Sequence, residues 1–307
     1  MLKNGHPLDE MTVPRYFRIA GVTIQVEADL PITERTFDKK FDSFKVDGPG
    51  ADTVVLRHHF SLPEMMGADL GREVYRKPPW AIYRRDGSWV YLGISPTPGE
   101  PDLHRVAVFN DDHSRGRIYN PNEEWFRRGG LHALTLFPSD QILLARLLPD
   151  RHACFLHAAG MAVNGQGLLF VGHSEAGKST MVTMLREEGE ILCDDRVIVR
   201  RWPEGFRVHG SWSHGDVPQV SAADAPLRAI LFLEKAGTNR LERLEDRKEI
   251  VRRLPFFLIK PAVTADWWEK TLGLVEKMAR EVPVYRLRFD RSGGVKDVLK
   301  PLWAGRP

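Results

Sequence analysis

The sequence predicts an α/β protein of two unlike halves: a β-rich first half, then a half in which buried strands alternate with helices. Two observations carry this. Short β-type runs broken by Gly, Pro and Asp clusters fill the chain from Arg15 to Phe137, and from Cys154 onward apolar strands and helix-forming stretches take turns. At 307 residues the chain also exceeds the roughly 150 residues of one usual domain. Two domains are therefore expected, residues 1–149 and 150–307.

In chain order, the first strands are expected at Tyr16–Ile19, Val22–Val26 and Thr53–Leu56, which are rich in β-branched and aromatic residues. Ala81–Leu92 reads as a hairpin, because Asp86-Gly87 is a turn signal between two strand-like runs. Further strands are expected at Arg105–Phe109 and Ala133–Leu136. Ser139 is an N-cap candidate for a helix that runs to Leu148 and stops at Pro149, and the domain boundary is placed there. Beyond it come strands near Met161–Val163, Gly167–Val171 and Glu190–Cys193, with a helix from Lys178 to about Glu188 between the last two. Ala229–Leu233 reads as a buried strand, Ala265–Glu281 as a long helix and Val284–Phe289 as a closing strand.

Composition narrows the function classes. A content of 42% hydrophobic and 28% charged residues is ordinary for a water-soluble globular protein. Lys and Arg number 44 against 41 Asp and Glu, and the pI near 8.8 reflects that small excess rather than a basic stripe, so no nucleic-acid partner is expected. The segment Met1–Pro7 lacks a signal peptide's apolar core, and no stretch approaches the ~18 apolar residues of a membrane span. A cytoplasmic protein with no membrane partner is the expectation. The two cysteines, Cys154 and Cys193, lie in apolar runs and read as reduced core residues.

The chemistry concentrates in the second half. Gly172-His173-Ser174-Glu175-Ala176-Gly177-Lys178-Ser179-Thr180 follows the phosphate-binding pattern, with an apolar strand before it and a helical segment after it. Glycines let such a backbone fold round phosphates, the lysine reaches the β- and γ-phosphates, and the hydroxyl of Ser179 is suited to magnesium. Glu175 sets a carboxylate inside the loop, which would repel phosphate unless it turns outward or meets a cation. Asp194-Asp195 follow a short strand, so one carboxylate can hold magnesium while the other accepts the proton of an attacking hydroxyl. His157 lies in Cys154–Gly160, where an apolar strand ends in small residues that permit close backbone approach.

In order and approximate spacing, His157-Ala158-Ala159, the loop beginning at Gly172 and Leu192–Val197 resemble HPr kinase/phosphorylases and the wider group sharing a fold with phosphoenolpyruvate carboxykinase, over roughly residues 150–235. The resemblance implies a C-terminal P-loop domain of that type behind the β-rich N-terminal domain. It also implies that the loop binds the nucleotide phosphates, that His157 neighbours the reacting phosphate, and that the acidic pair serves metal binding and proton transfer. The Arg-Gly-Leu-Gly signature associated with the phosphorylase reaction is missing. In its region stands His209–Asp216, and the chain is more similar to the divergent HPr kinase-like proteins of small peptide-maturation cassettes, including the SynChlorMet type.

The expected activity is ATP- and Mg2+-dependent transfer of a phosphoryl group to a hydroxyl, with serine foremost, of a protein or peptide recognised by residues 1–149. Lys178 is assigned to the phosphates, Ser179 and Asp195 to magnesium, Asp194 to the proton and His157 to the neighbourhood of the acceptor; the two Asp roles are exchangeable. Oligomerisation is compatible with this reading. A nucleotide-binding switch or slow NTPase without an acceptor is the alternative, and a small-molecule kinase a third. His214 and Asp216 are expected on a mobile loop over the site with glycine hinges. Arg252-Arg253 are candidates to meet the transferred phosphoryl group, and Trp267-Trp268 read as core or interface packing.

Overall fold

A computed structural model describes residues 13–64, 70–94, 103–135, 140–261 and 264–304. The chain divides into two compact units: Met1–Phe17, Thr23–Phe37 and Val46–Leu131 form the first, and Arg18–Val22, Asp38–Lys45 and His132–Pro307 the second.

A nine-stranded sheet dominates the first part of the chain. Its strands are β1 (Arg15–Ile19), β2 (Val22–Ala28), β3 (Lys45–Val46), β4 (Thr53–His59), β5 (Arg72–Lys77), β6 (Trp80–Arg85), β7 (Ser88–Ile94), β8 (Leu103–Asn110) and β9 (Arg115–Tyr119), in the order β3-β1-β2-β4-β9-β8-β7-β6-β5. β2, β4 and β9 run parallel, whereas β5 to β9 form an antiparallel meander. The expected hairpin is present: Arg85 pairs with Ser88, leaving Asp86 and Gly87 as its two-residue turn. Ala20 and Gly21, with φ of 47° and 80°, make the similar turn between β1 and β2. Alternation sends Ala81, Tyr83, Val90, Leu92 and Val106 into a common apolar cluster. A short helix, α1 (Glu124–Arg128), follows β9.

The strand expected at Ala133–Leu136 does not form; Leu136 lies outside the described residues. The side chain of Asp140, wholly buried, takes the backbone of this segment instead. It accepts from Leu134 N at 2.8 Å, Thr135 N at 2.7 Å and the Thr135 hydroxyl at 2.5 Å. Asp140, with φ of 51°, also precedes α2 (Gln141–Leu147); the proposed N-cap Ser139 is outside the described residues.

The second unit is the α/β half. Its strands are β10 (Ala153–Val163), β11 (Gln166–Val171), β12 (Glu190–Cys193), β13 (Arg196–Trp202), β14 (Gly205–His209), β15 (Asp224–Lys235), β16 (Arg240–Arg243) and β17 (Val284–Phe289). Pairing runs β11-β10-β13-β14-β15, and β15 also pairs with β11, so these five strands close on themselves. β11, β15 and β17 are parallel. Between and after them lie α3 (Lys178–Met184), α4 (Arg247–Arg253), α5 (Ala265–Glu281) and α6 (Val295–Leu299). α3 is shorter than expected, giving way to turns after Met184.

Two apolar clusters hold this unit together. One joins alternate strand residues Leu168, Phe170, Ala229 and Leu231 to Met181, Val182, Val295 and Leu299. The other joins Leu169, Val171, Ile230 and Phe232 to Ile250, Leu254, Trp267 and Leu274. Buried strands covered on both faces explain their near-continuous apolar runs. Trp267 is core, 3% exposed, with its indole N–H on Ala145 O at 2.8 Å and an edge contact to Trp268. Cys154 and Cys193 are free and buried; burial pushes their thiols up to about 12 and about 11.

Candidate active site

Strand pairing brings three separate pieces of sequence together. β10 pairs with β13, placing His157 opposite Arg196, and with β12, placing Gly160 opposite Cys193. The turn Asp194-Asp195, between β12 and β13, therefore lies beside His157. Ala158, Ala159 and Gly160 allow the close approach: a Cβ on Gly160 would stand 3.0 Å from Val197. β11 delivers the Gly172 loop, which ends at α3.

The loop is tightly determined. Gly177 has φ of 100°, and a Cβ there would meet the Phe289 ring at 2.6 Å. A Cβ on Gly172 would stand 2.5 Å from that of Ala176. Glu175 is exposed and takes the left-handed φ of 67°, a conformation that costs energy in a residue other than glycine. The Lys178 Nζ lies across the loop, donating to Gly172 O at 3.0 Å and His173 O at 3.1 Å. Burial pulls its ammonium below the ordinary lysine value, against the opposing charges of Asp195 and Asp194.

The two carboxylates have different surroundings. Asp194 is 1% exposed, and the backbone of the loop after β14 binds both its oxygens: Gly215 N donates to Oδ1 at 2.6 Å and Val217 N to Oδ2 at 3.0 Å. Asp195 is less enclosed. Its Oδ1 is 3.3 Å from His157 Nε2, and its Oδ2 accepts from Arg196 at 2.5 Å. Burial pushes the Asp195 carboxyl up, but the His157 contact and the Arg196 and Lys178 charges outweigh it and hold the group below its ordinary value.

A cavity of about 450 Å³ gathers His157, Ser174, Glu175, Gly177, Lys178, Ser179, Thr180, Asp194 and Asp195. His173 and Ala176 border a second cavity on the other side of the loop, together with Gly172. The first cavity also takes in Gly215, Asp216, Lys235 and Arg291. Lys235 and Arg291 had no motif to mark them. Their only signal is position, since Lys235 ends β15 and Arg291 follows β17, both parallel to β11.

Arg252-Arg253 do not serve this cavity. Arg253 is paired to Glu249 at 3.0 Å and lies over the Phe232 ring, and Arg252 lines a separate hollow. Of the loop after β14 expected over the site, Gly215 and Asp216 line the cavity, while its first residues are packed inside. Ser211, Trp212 and Ser213 are buried, and Trp212 touches Phe41, Phe44 and the Asp140 carboxylate. Its glycines serve close approach rather than hinging: a Cβ on Gly210 would stand 1.9 Å from Ser221 O, and one on Gly215 would stand 3.2 Å from Asp194 Oδ2.

Together these features define a mixed α/β protein with a charged cavity where a glycine loop faces two acids and a histidine. The family described as SynChlorMet cassette protein ScmC matches residues 141–302, more than half of the sequence, and the chain belongs to that family. Among solved structures it is similar to the Hpr(Ser) kinase/phosphatase from Coxiella burnetii, at 12% identity and a TM-score of 0.30 over 48% of this chain and 87% of that one, a superposition too loose to transfer detail. No curated protein matches. No helix among the described residues is long and apolar enough to cross a membrane.

Proposed function

We propose that residues 150–307 form a P-loop domain of the HPr kinase/phosphoenolpyruvate carboxykinase type that transfers the γ-phosphoryl group of ATP, with Mg2+, to a serine-type hydroxyl of a protein or peptide. The supporting observation is the convergence of Lys178, Ser179, Asp194, Asp195 and His157 on one cavity. Lys178 already points its ammonium along the loop, where it would meet the β- and γ-phosphates. Lys235 and Arg291 add positive charge to the same walls, offsetting Glu175 and suiting a polyanion.

The donor set fits magnesium. Ser179 and the two carboxylates supply hard oxygens. Magnesium typically uses one or two carboxylates and completes its shell with water and phosphate. When bound, the ion would neutralise charge on the transferred group. Asp194, whose oxygens are fixed by Gly215 N and Val217 N, fits the metal side with Ser179. Asp195 keeps more exposure and contacts His157, so this pair is better placed to take the acceptor's proton. That exchanges the roles first assigned to the two acids.

Residues 1–149 would recognise the acceptor, and an ATP-using enzyme of this kind would work in the cytoplasm. Incubation with Mg2+ and γ-labelled ATP, with and without cell extract or peptides encoded beside the gene, tests the reading. Label on a peptide hydroxyl supports the kinase. ATP binding with no labelled acceptor across a broad panel supports a nucleotide switch instead.

A further inference from the structure

The loop from Gly172 to Ala176 separates two cavities of opposite character. The first, described above, is charged and holds the acids. The second, of about 490 Å³, is walled by His173, Phe232, Arg253, Phe256 and Phe257. Ser174, Glu175 and Lys235 line both, so the two adjoin across the crest of the loop.

The aromatic groups of the second cavity are organised. His173 and Phe257 have ring centroids 4.9 Å apart, and Phe232 and Phe257 6.0 Å. The Arg253 guanidinium sits 4.2 Å from the Phe232 ring centroid, held by Glu249. Phe256 is the outlier: it is 72% exposed, the most exposed large aromatic among the described residues. Its neighbour Phe257 is 6% exposed and anchors the core, so the short turn after α4 fixes where Phe256 stands. An isolated exposed phenylalanine needs no explanation, but one at the rim of an apolar hollow beside a charged loop has the form of a ligand wall.

We propose that this second cavity is the nucleoside subsite, in which Phe256 and Arg253 hold the flat heteroaromatic base of the triphosphate. The inference rests on the phosphate reading of the Gly172 loop. Polarity sets the direction: the acids and His157 lie in the first cavity, so the reacting γ end belongs there and the nucleoside end leaves across the loop. Rings and guanidinium groups bind bases through their faces without needing a particular hydrogen-bond pattern. This predicts recognition of a base as such, with weak discrimination between adenine and guanine.

Titration with MgATP and with magnesium tripolyphosphate separates this inference from its premise. Wild type should bind both, and Phe256→Ala should weaken MgATP by about fivefold or more while leaving tripolyphosphate affinity unchanged. Arg253→Met should act in the same direction. An unchanged MgATP affinity in Phe256→Ala, or an equal loss for both ligands, would overturn the base site and leave the loop standing. Failure of wild type to bind either ligand would remove the phosphate reading and the base site with it.

Discussion

Asp194 and Asp195 are adjacent and identical in type, and only their surroundings separate them. Asp194 faces two backbone donors, while Asp195 faces His157, Arg196 and Lys178. No spacing rule could reveal this, because the donors come from residues 215 and 217, on a loop that reads as polar and irregular. The motif itself was legible in the Gly172 loop and the acid pair, each at the end of an apolar strand, and in His157, which lies within the apolar strand β10. Lys235 and Arg291 were not, because a cation after a strand is common and its direction depends on the sheet. The charge environment of Asp195 has a testable sign. Its folded-state pKa is depressed, so its contribution to stability is present above the unfolded carboxylate value and is lost as pH falls through the folded value. Arg196→Met removes one source of that depression. The acid limb of the transfer-rate profile should then move to higher pH; an unmoved limb would mean that Asp195 does not titrate in catalysis.

Among the elements, strands and long helices were the readable part. β15, β17 and α5 come from apolar runs or a clear helical period, and their bounds vary by a few residues at most from expectation, apart from Asp224–Arg228, the strand added at the N-terminal end of β15. The failure at Ala133–Leu136 has a specific cause. Its backbone donors are taken by one buried carboxylate, Asp140, which also accepts from Trp212 Nε1 at 3.1 Å. Burial pushes the Asp140 carboxyl up, against those hydrogen bonds and the Lys40 charge. Asp140→Ala would orphan several buried donors, and a loss of about 3 kcal/mol or more is expected in urea unfolding. The Gly177 position makes a second element-scale claim. Gly177→Ala combines a positive φ with a Cβ 2.6 Å from Phe289, so it should cost about 2 kcal/mol and weaken triphosphate binding by displacing Lys178.

For the whole molecule, the division into a β-rich part and an α/β part was visible in the change of hydrophobic period, but the assignment of Arg18–Val22 and Asp38–Lys45 to the second unit was not. Such long-range membership depends on contacts between distant residues that no local pattern records. The proposed nucleotide site lies wholly within the second unit. Binding there should stabilise that unit: saturating MgATP, at about 100 times its dissociation constant, is worth about 2.7 kcal/mol and should raise the melting temperature by several degrees. Lys178→Ala should abolish the shift, and a shift that survived it would place binding elsewhere. The most direct test of the central claim measures ATP affinity and phosphoryl transfer together in Asp195→Asn. Retained affinity with transfer reduced by about a hundredfold or more is the predicted result, and full transfer activity in this variant would contradict it.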